Sequence, residues 1–430
     1  MAILLACAGC LATDQPLIIA HRGSPCSIPE ETIEGFEAAA LAGADYLEMD
    51  VVMSKDGMLI CRHDITLDDS TDVLAHGEFA AYTRTEAMPG GHNITGIFAA
   101  DLTSAEIRRL KAQQVMPFRD HSRDQETQVS PLRDVLRFAK PLVESGAVLG
   151  VYIETKQPSW HKDIGLPLEQ PLLDVLDAEG WFKLPQGAIV LQSFEPQSLR
   201  KLHDLMQGRR LGPTNLTWLM DCADPPPSDG DLEAFAEYGT FIGPDKVMVA
   251  ELNETAECGR RKGCGSPGSF CAGRLSRSVS ENATSSLVVR AHSYGLGVHT
   301  YTHRNEDMFM ALDFRSDPAA ELSHFAGRNG LGVDGVFVDC PATAVAWRQQ
   351  EFEVQGTATV PAGGRVSSHG TCTDSEVCTA VTVFLSLMAG WAGSRYLADW
   401  VARAQQALFL RYHRLSDDGT AATVQMTGSS

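Results

Sequence analysis

Charged side chains occur at alternate positions in two separate stretches of the sequence. Glu48 and Asp50 are two residues apart, and Glu154 and Lys156 repeat that spacing later in the chain. Side chains two apart on a β-strand leave the same face, so each pair would project together. Carboxylates buried side by side are costly unless a cation or a shared proton relieves them. Because oxygen ligands suit calcium and magnesium, we expect Glu48, Asp50 and Glu154 to bind one such cation.

Each charged pair also has a simpler explanation. Glu48 and Asp50 could lie on a solvated strand face, as charged pairs often do in antiparallel sheets. Glu154 and Lys156 could form an ion pair inside a barrel. In the chemical interpretation, Lys156 instead holds a phosphate oxygen as a point charge.

Two histidines lie at the ends of predicted strands. Histidine titrates near neutral pH, so His21 and His63 could serve as general base and general acid. Arg22, beside His21, offers a planar guanidinium that suits a phosphate. A single histidine at a strand end is often structural, but the combination of histidines, carboxylates, arginine and lysine indicates catalysis. Barrel enzymes place such residues at the carboxyl ends of their strands.

Apolar periodicity predicts about eight strands that alternate with helices. A helix is expected at residues 32–41, ended by Gly43, and another after Ser130 as N-cap with Pro131 at its first position. This alternation predicts an α/β fold, a TIM (β/α)8 barrel. An open doubly wound sheet is the alternative, although no GxGxxG motif follows the first strand. The predicted barrel strands are residues 17–20, 46–52, 149–155, 188–193, 217–220, 240–242, 297–302 and 334–339.

The predicted barrel occupies residues 17–348, preceded by a leader or disordered segment at 1–16. Residues 65–130 are polar, hold no strand comparable to those of the barrel, and are interpreted as an insertion after the second strand. Residues 349–430 form a linker and a C-terminal tail. Within it, residues 377–394 carry no charge, and this length is at the lower limit for a membrane span. Membrane contact through the tail and a helix packed on the barrel or a partner are both open.

Composition limits the partners of the chain. The sequence has 35 basic and 55 acidic residues and a net charge of -20. Such a surface repels polyphosphate, so nucleic acid is not an expected partner. The 11 cysteines are odd in number, so at least one is unpaired within the chain. Cys258, Cys264 and Cys271 are too widely spaced for a CxxC zinc motif, and a disulfide in that loop is the expectation in an oxidising compartment.

A series of motifs strongly resembles the glycerophosphodiester phosphodiesterase family, and they occur in the order of that family. The resemblance covers residues 17 to about 348 and does not reach the tail. The long insertion, with TDV at 71–73 and PFRD at 117–120, is similar to that of the bacterial periplasmic and plant branch. The motifs are HRG at 21–23, PEET at 29–32, GADYLEMDV at 43–51, HD at 63–64, YIETK at 152–156, QSFEP at 192–196, YTHRNE at 301–306 and DGVFVD at 334–339.

The resemblance implies a barrel enzyme that hydrolyses glycerophosphodiesters to glycerol 3-phosphate and an alcohol. It implies one divalent cation, calcium or magnesium, and attack by the 2-hydroxyl of the substrate, followed by opening of a cyclic phosphate by water. The implied roles are acid and base for His21 and His63, metal ligands for Glu48, Asp50 and Glu154, phosphate binding for Arg22 and Lys156, and a wall of the substrate pocket for Tyr301.

Two residues depart from the pattern of the family. Glu31 occupies a position where many members have Asn, and we expect it to add a negative charge that the start of a helix tolerates. His303 is also unusual and is interpreted as a surface residue. Two alternative functions remain at this stage. One is a phosphodiesterase of the same fold that acts on lysophospholipids, which an apolar rim would favour, and the other is a barrel without catalytic activity.

Overall fold

The computed structural model of the chain describes residues 15–88, 91–212, 214–250 and 286–353. The predicted leader up to residue 14, the loop with Cys258, Cys264 and Cys271, and the predicted tail from residue 354 lie outside these ranges. Within the described ranges, no helix combines the length and the apolar character that a membrane crossing requires.

The strands follow the predicted pattern closely. The barrel strands predicted from the sequence are all present, and their ends differ from the prediction by at most two residues. Three further strands form hairpins outside the barrel wall. The strands are β1 (Leu17–Ala20), β2 (Tyr46–Met53), β3 (Leu59–Cys61), β4 (Arg84–Ala87), β5 (Asn93–Gly96), β6 (Gly150–Thr155), β7 (Ile189–Ser193), β8 (Asn215–Met220), β9 (Phe241–Pro244), β10 (Gly297–His303) and β11 (Gly335–Val338).

Eight of the described strands are parallel and form a closed barrel. Around the barrel they follow the order β1, β2, β6, β7, β8, β9, β10 and β11. The first strand closes the ring, because Ile19 of β1 is opposite Tyr46 of β2 and Leu17 is opposite Gly335 of β11. The predicted TIM barrel is therefore confirmed, and the open doubly wound sheet is excluded.

Helices follow the barrel strands and cover the outside. The first is confirmed with its caps, since Thr32 Oγ1 accepts a hydrogen bond from the amide of Gly35 at 3.1 Å and Gly43 ends the helix with φ of 91°. The helices are α1 (Ile33–Ala42), α2 (Ser104–Ile107), α3 (Leu132–Glu144), α4 (Pro158–Asp163), α5 (Glu169–Ala178), α6 (Pro196–Arg209), α7 (Asp229–Ala236), α8 (Lys246–Ala250), α9 (Ser286–Ser293), α10 (Pro318–Ala326) and α11 (Pro341–Glu353).

The start of α3 differs from the prediction by one residue. Pro131, not Ser130, is the N-cap, and no side chain caps this helix. The carbonyl of Ser130 accepts a hydrogen bond from the amide of Cys61 at 2.9 Å, and Pro131 forms a bridge with Ile60. These contacts keep both residues extended beside β3, so the helix begins only at Leu132.

The insertion contains a hairpin that the sequence did not predict. Strands β4 and β5 pair in antiparallel register, from Arg84 opposite Gly96 to Ala87 opposite Asn93. The strands are largely polar and half exposed, so they lack the apolar alternation by which a strand is detected. The insertion packs on the barrel through an apolar cluster that includes Phe98 and Trp160, whose rings stack at 5.6 Å.

An apolar layer fills the barrel just below its carboxyl mouth. Five strands contribute a residue to this layer. On each of them a polar residue lies two positions further along the chain, either within the strand or directly after its end. Because alternate residues share a face, the layer forms a floor and the polar residues lie above it. The floor residues are Ile19, Tyr46, Tyr152, Val190 and Phe337. The polar residues above them are His21, Glu48, Glu154, Gln192 and Asp339.

A disulfide links the two ends of the barrel sequence. Cys26 lies in the loop after β1 and pairs with Cys340, two residues beyond β11, with 5.4 Å between their Cα atoms. The amide of Cys26 also donates to the carbonyl of Asp339 at 3.4 Å. The sequence did not predict this pair, whereas the expected unpaired cysteine is confirmed by the buried free thiol of Cys61.

Replacement of Cys26 and Cys340 by serine together should lower the free energy of unfolding by about 2–4 kcal/mol, because a crosslink restricts the unfolded chain. Denaturant unfolding in non-reducing buffer measures this loss. Cys61→Ala, which removes a free thiol, serves as the control and should show a smaller effect. A double variant as stable as the parent would contradict a structural role for the disulfide.

Candidate active site

Three carboxylates meet at the mouth of the barrel on neighbouring strands. Asp50 of β2 is directly opposite Glu154 of β6. Glu48 is two residues before Asp50 and therefore lies on the same face of β2. All three are buried, and one ligand atom from each lies within 4.8 Å of the others. Within the described residues, neither carboxylate oxygen of Asp50 takes part in a hydrogen bond. Buried oxygens of this kind fit a hard divalent cation.

Two cationic side chains lie against this carboxylate cluster. The Nε of Arg22 is 3.1 Å from Oδ2 of Asp50. The Nζ of Lys156 is 2.7 Å from Oε1 of Glu154 and 3.9 Å from Oδ1 of Asp50. The ion pair between Glu154 and Lys156 that the sequence left open is therefore present. It is not isolated, because Lys156 also lies near Asp50 of the carboxylate cluster. A solvated face for Glu48 and Asp50 is excluded by their burial.

The pKa values of the three carboxylates shift in opposite directions, because Arg22 and Lys156 do not stabilise the three ionised groups equally. Burial raises the pKa of Glu154 to about 8. Burial also raises the pKa of Glu48 well above its ordinary value, and Asp50 adds to this. Burial acts on Asp50 in the same direction, but Lys156 and Arg22 outweigh it and hold the pKa of Asp50 below its usual range. Binding of a cation would therefore release protons from this cluster.

The loop after β1 brings its backbone to the carboxylates. The amide of Arg22 donates to Oε2 of Glu48 at 2.8 Å, and the guanidinium donates to Oε2 of Glu30 at 2.9 Å. Arg22 and Gly23 both have positive φ, at 53° and 91°. A Cβ on Gly23 would lie 2.8 Å from the carbonyl carbon of Gly35 in α1. Glycine is therefore needed here for both its φ and the close approach of the helix.

Glu31, which departs from the pattern of the family, lies inside the site. It is fully buried at a left-handed φ of 61°, and its Oε1 accepts a hydrogen bond from the amide of Asp50 at 2.9 Å. Burial, with the nearby Asp50 and Glu48, raises the pKa of Glu31 well above its ordinary value. The side chain thus fixes the backbone of β2 at Asp50 through a buried hydrogen bond.

Both predicted histidines are held by a carboxylate. Nδ1 of His21 is 2.7 Å from Oδ1 of Asp339, and Nδ1 of His63 is 2.7 Å from Oδ1 of Asp64. Burial lowers the pKa of His21 to about 4; Arg22 adds to this effect, and Asp339 opposes it. Both histidines also help to lower the pKa of Asp50, which places them within electrostatic reach of the cluster.

Tyr301 lies on the opposite side of the mouth, on β10. Its hydroxyl donates to the carbonyl of Met220 at 2.7 Å, and its ring meets that of Phe194 edge to face at 5.9 Å. The ring of Phe194 is in turn 5.6 Å from Nζ of Lys156. The hydroxyl of Tyr301 is therefore occupied by a hydrogen bond within the barrel, and its ring packs against Phe194.

Sequence reasoning gave no role to two residues of the site. Nε2 of Gln192 donates to Oε1 of Glu48 at 2.8 Å, inside the barrel. Asp339 accepts from His21 and from two arginines, Arg119 at 2.7 Å and Arg304 at 2.8 Å. Both residues follow an apolar floor residue by two positions. That spacing, which recurs on five of the described barrel strands, is the signal that would have identified them.

The interpretation of His303 as a surface residue is wrong. Its ring is buried, with Nδ1 at 2.9 Å from Oε2 of Glu321 and Nε2 at 2.9 Å from Oγ1 of Thr300. The pairing of β10 with β11 shifts register between Thr300 and His303. His303 consequently packs against α10, whose Glu321 is also paired with Lys246.

Comparison with known proteins agrees with this geometry. The sequence model of the glycerophosphoryl diester phosphodiesterase family matches residues 21–343. A glycerophosphodiester phosphodiesterase of Arabidopsis thaliana is 33% identical over 353 residues, which cover 76% of this chain and 85% of the relative. One from Haemophilus influenzae is 27% identical over 346 residues, which cover 76% of this chain and 88% of the relative.

A solved structure supports the fold. A protein from Silicibacter pomeroyi, described as a glycerophosphoryl diester phosphodiesterase, superimposes with a TM-score of 0.52 at 19% identity. The superposition covers 79% of this chain and 95% of that chain. At this identity the likeness concerns the barrel architecture alone.

Gly23→Ala should destabilise the protein more than Gly57→Ala, and denaturant unfolding of the two variants tests this. Both glycines have positive φ, at 91° and 79°, but no atom lies within 4 Å of a Cβ built at Gly57. Gly57→Ala therefore reports backbone strain alone, about 1 kcal/mol. Gly23→Ala adds a clash with α1 and should cost about 2–4 kcal/mol. Equal losses would show that the close approach is unimportant.

Proposed function

The chain belongs to the glycerophosphoryl diester phosphodiesterase family and is a phosphoric diester hydrolase, and from this premise we propose that it uses one divalent cation and two histidines to cleave glycerophosphodiesters. The products are glycerol 3-phosphate and an alcohol. The observation that carries the proposal is the buried cluster of Glu48, Asp50 and Glu154, with its unbonded Asp50 oxygens and with His21 and His63 in reach.

The cation would be held by Glu48, Asp50 and Glu154. All three supply carboxylate oxygens, which both calcium and magnesium prefer. When bound, the cation neutralises charge on the phosphoryl oxygens and orients the glycerol hydroxyls. Gln192 and the backbone amide of Arg22 each occupy one oxygen of Glu48, so this carboxylate is fixed in orientation before any ligand arrives.

Arg22 and Lys156 are proposed to bind the phosphate. Both face the carboxylate cluster, Arg22 at 3.1 Å from Asp50 and Lys156 at 2.7 Å from Glu154. A cation on the carboxylates would weaken their hold on these two side chains, which could then turn toward phosphate oxygens. The planar guanidinium suits two oxygens, whereas the ammonium acts as a point charge.

His21 is proposed as the base and His63 as the acid. The lowered pKa of His21, about 4, makes it neutral at pH 7, so it can accept a proton but not supply one. His21 takes the proton of the attacking 2-hydroxyl as the new P–O bond forms. His63 protonates the oxygen of the leaving alcohol as the old P–O bond breaks. Water then opens the cyclic phosphate with the two roles exchanged.

A second candidate substrate is a lysophospholipid. Phe118 of the insertion is 45% exposed, and its ring lies 6.1 Å from that of buried Phe309, next to Arg119. This apolar surface at the mouth could accommodate part of an acyl chain. Divalent-dependent release from glycerophosphocholine and from a lysophospholipid, measured side by side, distinguishes the two candidates. No release from glycerophosphocholine would refute the main proposal.

His21→Ala and His63→Ala should each lower kcat by about a hundredfold or more, because each removes a proton-transfer group. Steady-state kinetics with glycerophosphocholine measures the loss, and an unchanged melting temperature shows that the fold is intact. His92→Ala, at an exposed histidine in the insertion, is the matched control. Near-native turnover in either active-site variant would refute the assignment.

Chelation should abolish activity, and Glu48→Gln or Asp50→Asn should weaken cation binding, because each removes a charged oxygen ligand. Titration calorimetry of the substrate-free protein with calcium and with magnesium measures this independently of turnover. Glu169→Gln, at a buried glutamate of α5, is the control and should bind the cation normally. Full activity after exhaustive chelation would remove the cation from the mechanism.

A further inference from the structure

A single arginine of the insertion reaches into the mouth of the barrel. Arg119 donates from Nε and Nη2 to the two carboxylate oxygens of Glu306, at 2.7 and 3.1 Å. Its Nη2 also donates to Oδ2 of Asp339 at 2.7 Å. Glu306 follows β10 and Asp339 follows β11. Arg119 therefore ties the insertion to the ends of two barrel strands.

Asp339 connects this arginine to the proposed base. Its Oδ1 contacts Nδ1 of His21 at 2.7 Å, while Oδ2 accepts from Arg119 and from Nε of Arg304. Its side chain is 2% exposed. Oδ1 of Asp339 thus orients the imidazole of His21, and Oδ2 is held by the guanidinium groups of two arginines.

The insertion also contacts the loop that follows His21. Nε2 of Gln114 donates to the carbonyl of Pro25 at 2.9 Å, and Gln114 is buried. The segment from Gln114 to Arg119 is therefore anchored on both sides of the histidine, at the loop after β1 and at the end of β11.

We propose that Arg119 is a positioning residue for His21 and acts through Asp339. This inference rests on the proposed function of His21. Arg119 is not placed to bind substrate, because its side chain is only 4% exposed and both its Nε and Nη2 are occupied. Its contribution is to hold the Asp339 carboxylate in one rotation, so that the imidazole presents the same edge to the attacking hydroxyl.

The pH dependence of the reaction provides a second test of this role. The charged groups around His21 are Arg22, Asp50, Asp339 and Arg304, with the Arg119–Glu306 pair behind Asp339. Removal of Arg119 leaves Asp339 with one cationic partner and leaves Glu306 without this ion pair. Both changes favour the protonated imidazole. The acidic limb of the pH profile of kcat/KM, where a neutral base is required, should therefore move to higher pH.

The test compares Arg119→Gln and Arg119→Lys with the parent, using glycerophosphocholine across a range of pH. Arg119→Gln should lower kcat by about 10- to 100-fold with little change in KM, and should shift the acidic limb upward. Arg119→Lys retains the charge and should restore the pH profile, but recover kcat only in part. Arg84→Gln is the matched control, because Arg84 pairs with Asp101 and Glu86 in the hairpin of the same insertion.

The route through Asp339 is tested separately. In the Asp339→Asn background, Arg119→Gln should add little further loss of kcat, since the two residues act in series. Fully additive losses would overturn the inference.

The inference and the proposed function can fail independently. Wild-type kcat and pH profile in Arg119→Gln would overturn the inference but leave the proposed function standing. A parent protein that does not hydrolyse glycerophosphocholine would instead refute the proposed function. If Arg119→Gln does not fold, Arg119→Lys decides: one ammonium cannot span both carboxylates, so parental kcat in that variant would refute the positioning role.

Discussion

The mouth of this barrel is organised by the need to bury like charges next to one another. Glu48, Asp50 and Glu154 come within 4.8 Å, at a depth where an unpaired carboxylate would simply take up a proton. Arg22 and Lys156 hold the pKa of Asp50 below its usual range, whereas burial raises the pKa values of Glu48 and Glu154. Folding therefore brings the three carboxylates together but leaves them unequal in acidity. In the proposed function, a bound cation would add positive charge to this cluster, and its binding would stabilise the folded state.

The backbone around the cluster is shaped by the same requirement. The amide that points at Glu48 comes from Arg22, which has positive φ and is followed by Gly23, also with positive φ. The tight turn brings α1 so close that a methyl group would not fit. Glu31 also has positive φ, and its carboxyl group accepts a hydrogen bond from the amide of Asp50. Two non-glycine residues with positive φ, Arg22 and Glu31, thus present polar groups to the site.

Much of the fold followed from local patterns, because the barrel strands and the caps Thr32 and Gly43 depend on neighbours in sequence. The alternation of Glu48 with Asp50 likewise placed both side chains on one face. What local patterns could not give were partners far apart in the chain. Gln192 and Glu48 are separated by 144 residues, and His21 and Asp339 by 318. His303 was misplaced because a register shift in β10 changes which face a residue occupies, and no periodicity reports such a shift.

The covalent bond between Cys26 and Cys340 closes the chain from β2 to β11 into a ring, with β1 just outside it. The strand that begins the wall and the strand that completes it are hydrogen-bonded neighbours, and the disulfide joins two cysteines that are 314 positions apart in the sequence. A peptide bond cut once anywhere within that ring leaves both pieces joined. Tension applied at the two termini would pass along β1, His21 and Arg22 to Cys26 and then through the sulfur bridge, past the strands from β2 to β11. The strands that carry Glu48, Asp50 and Glu154 are thus shielded from such tension, whereas β1 is not.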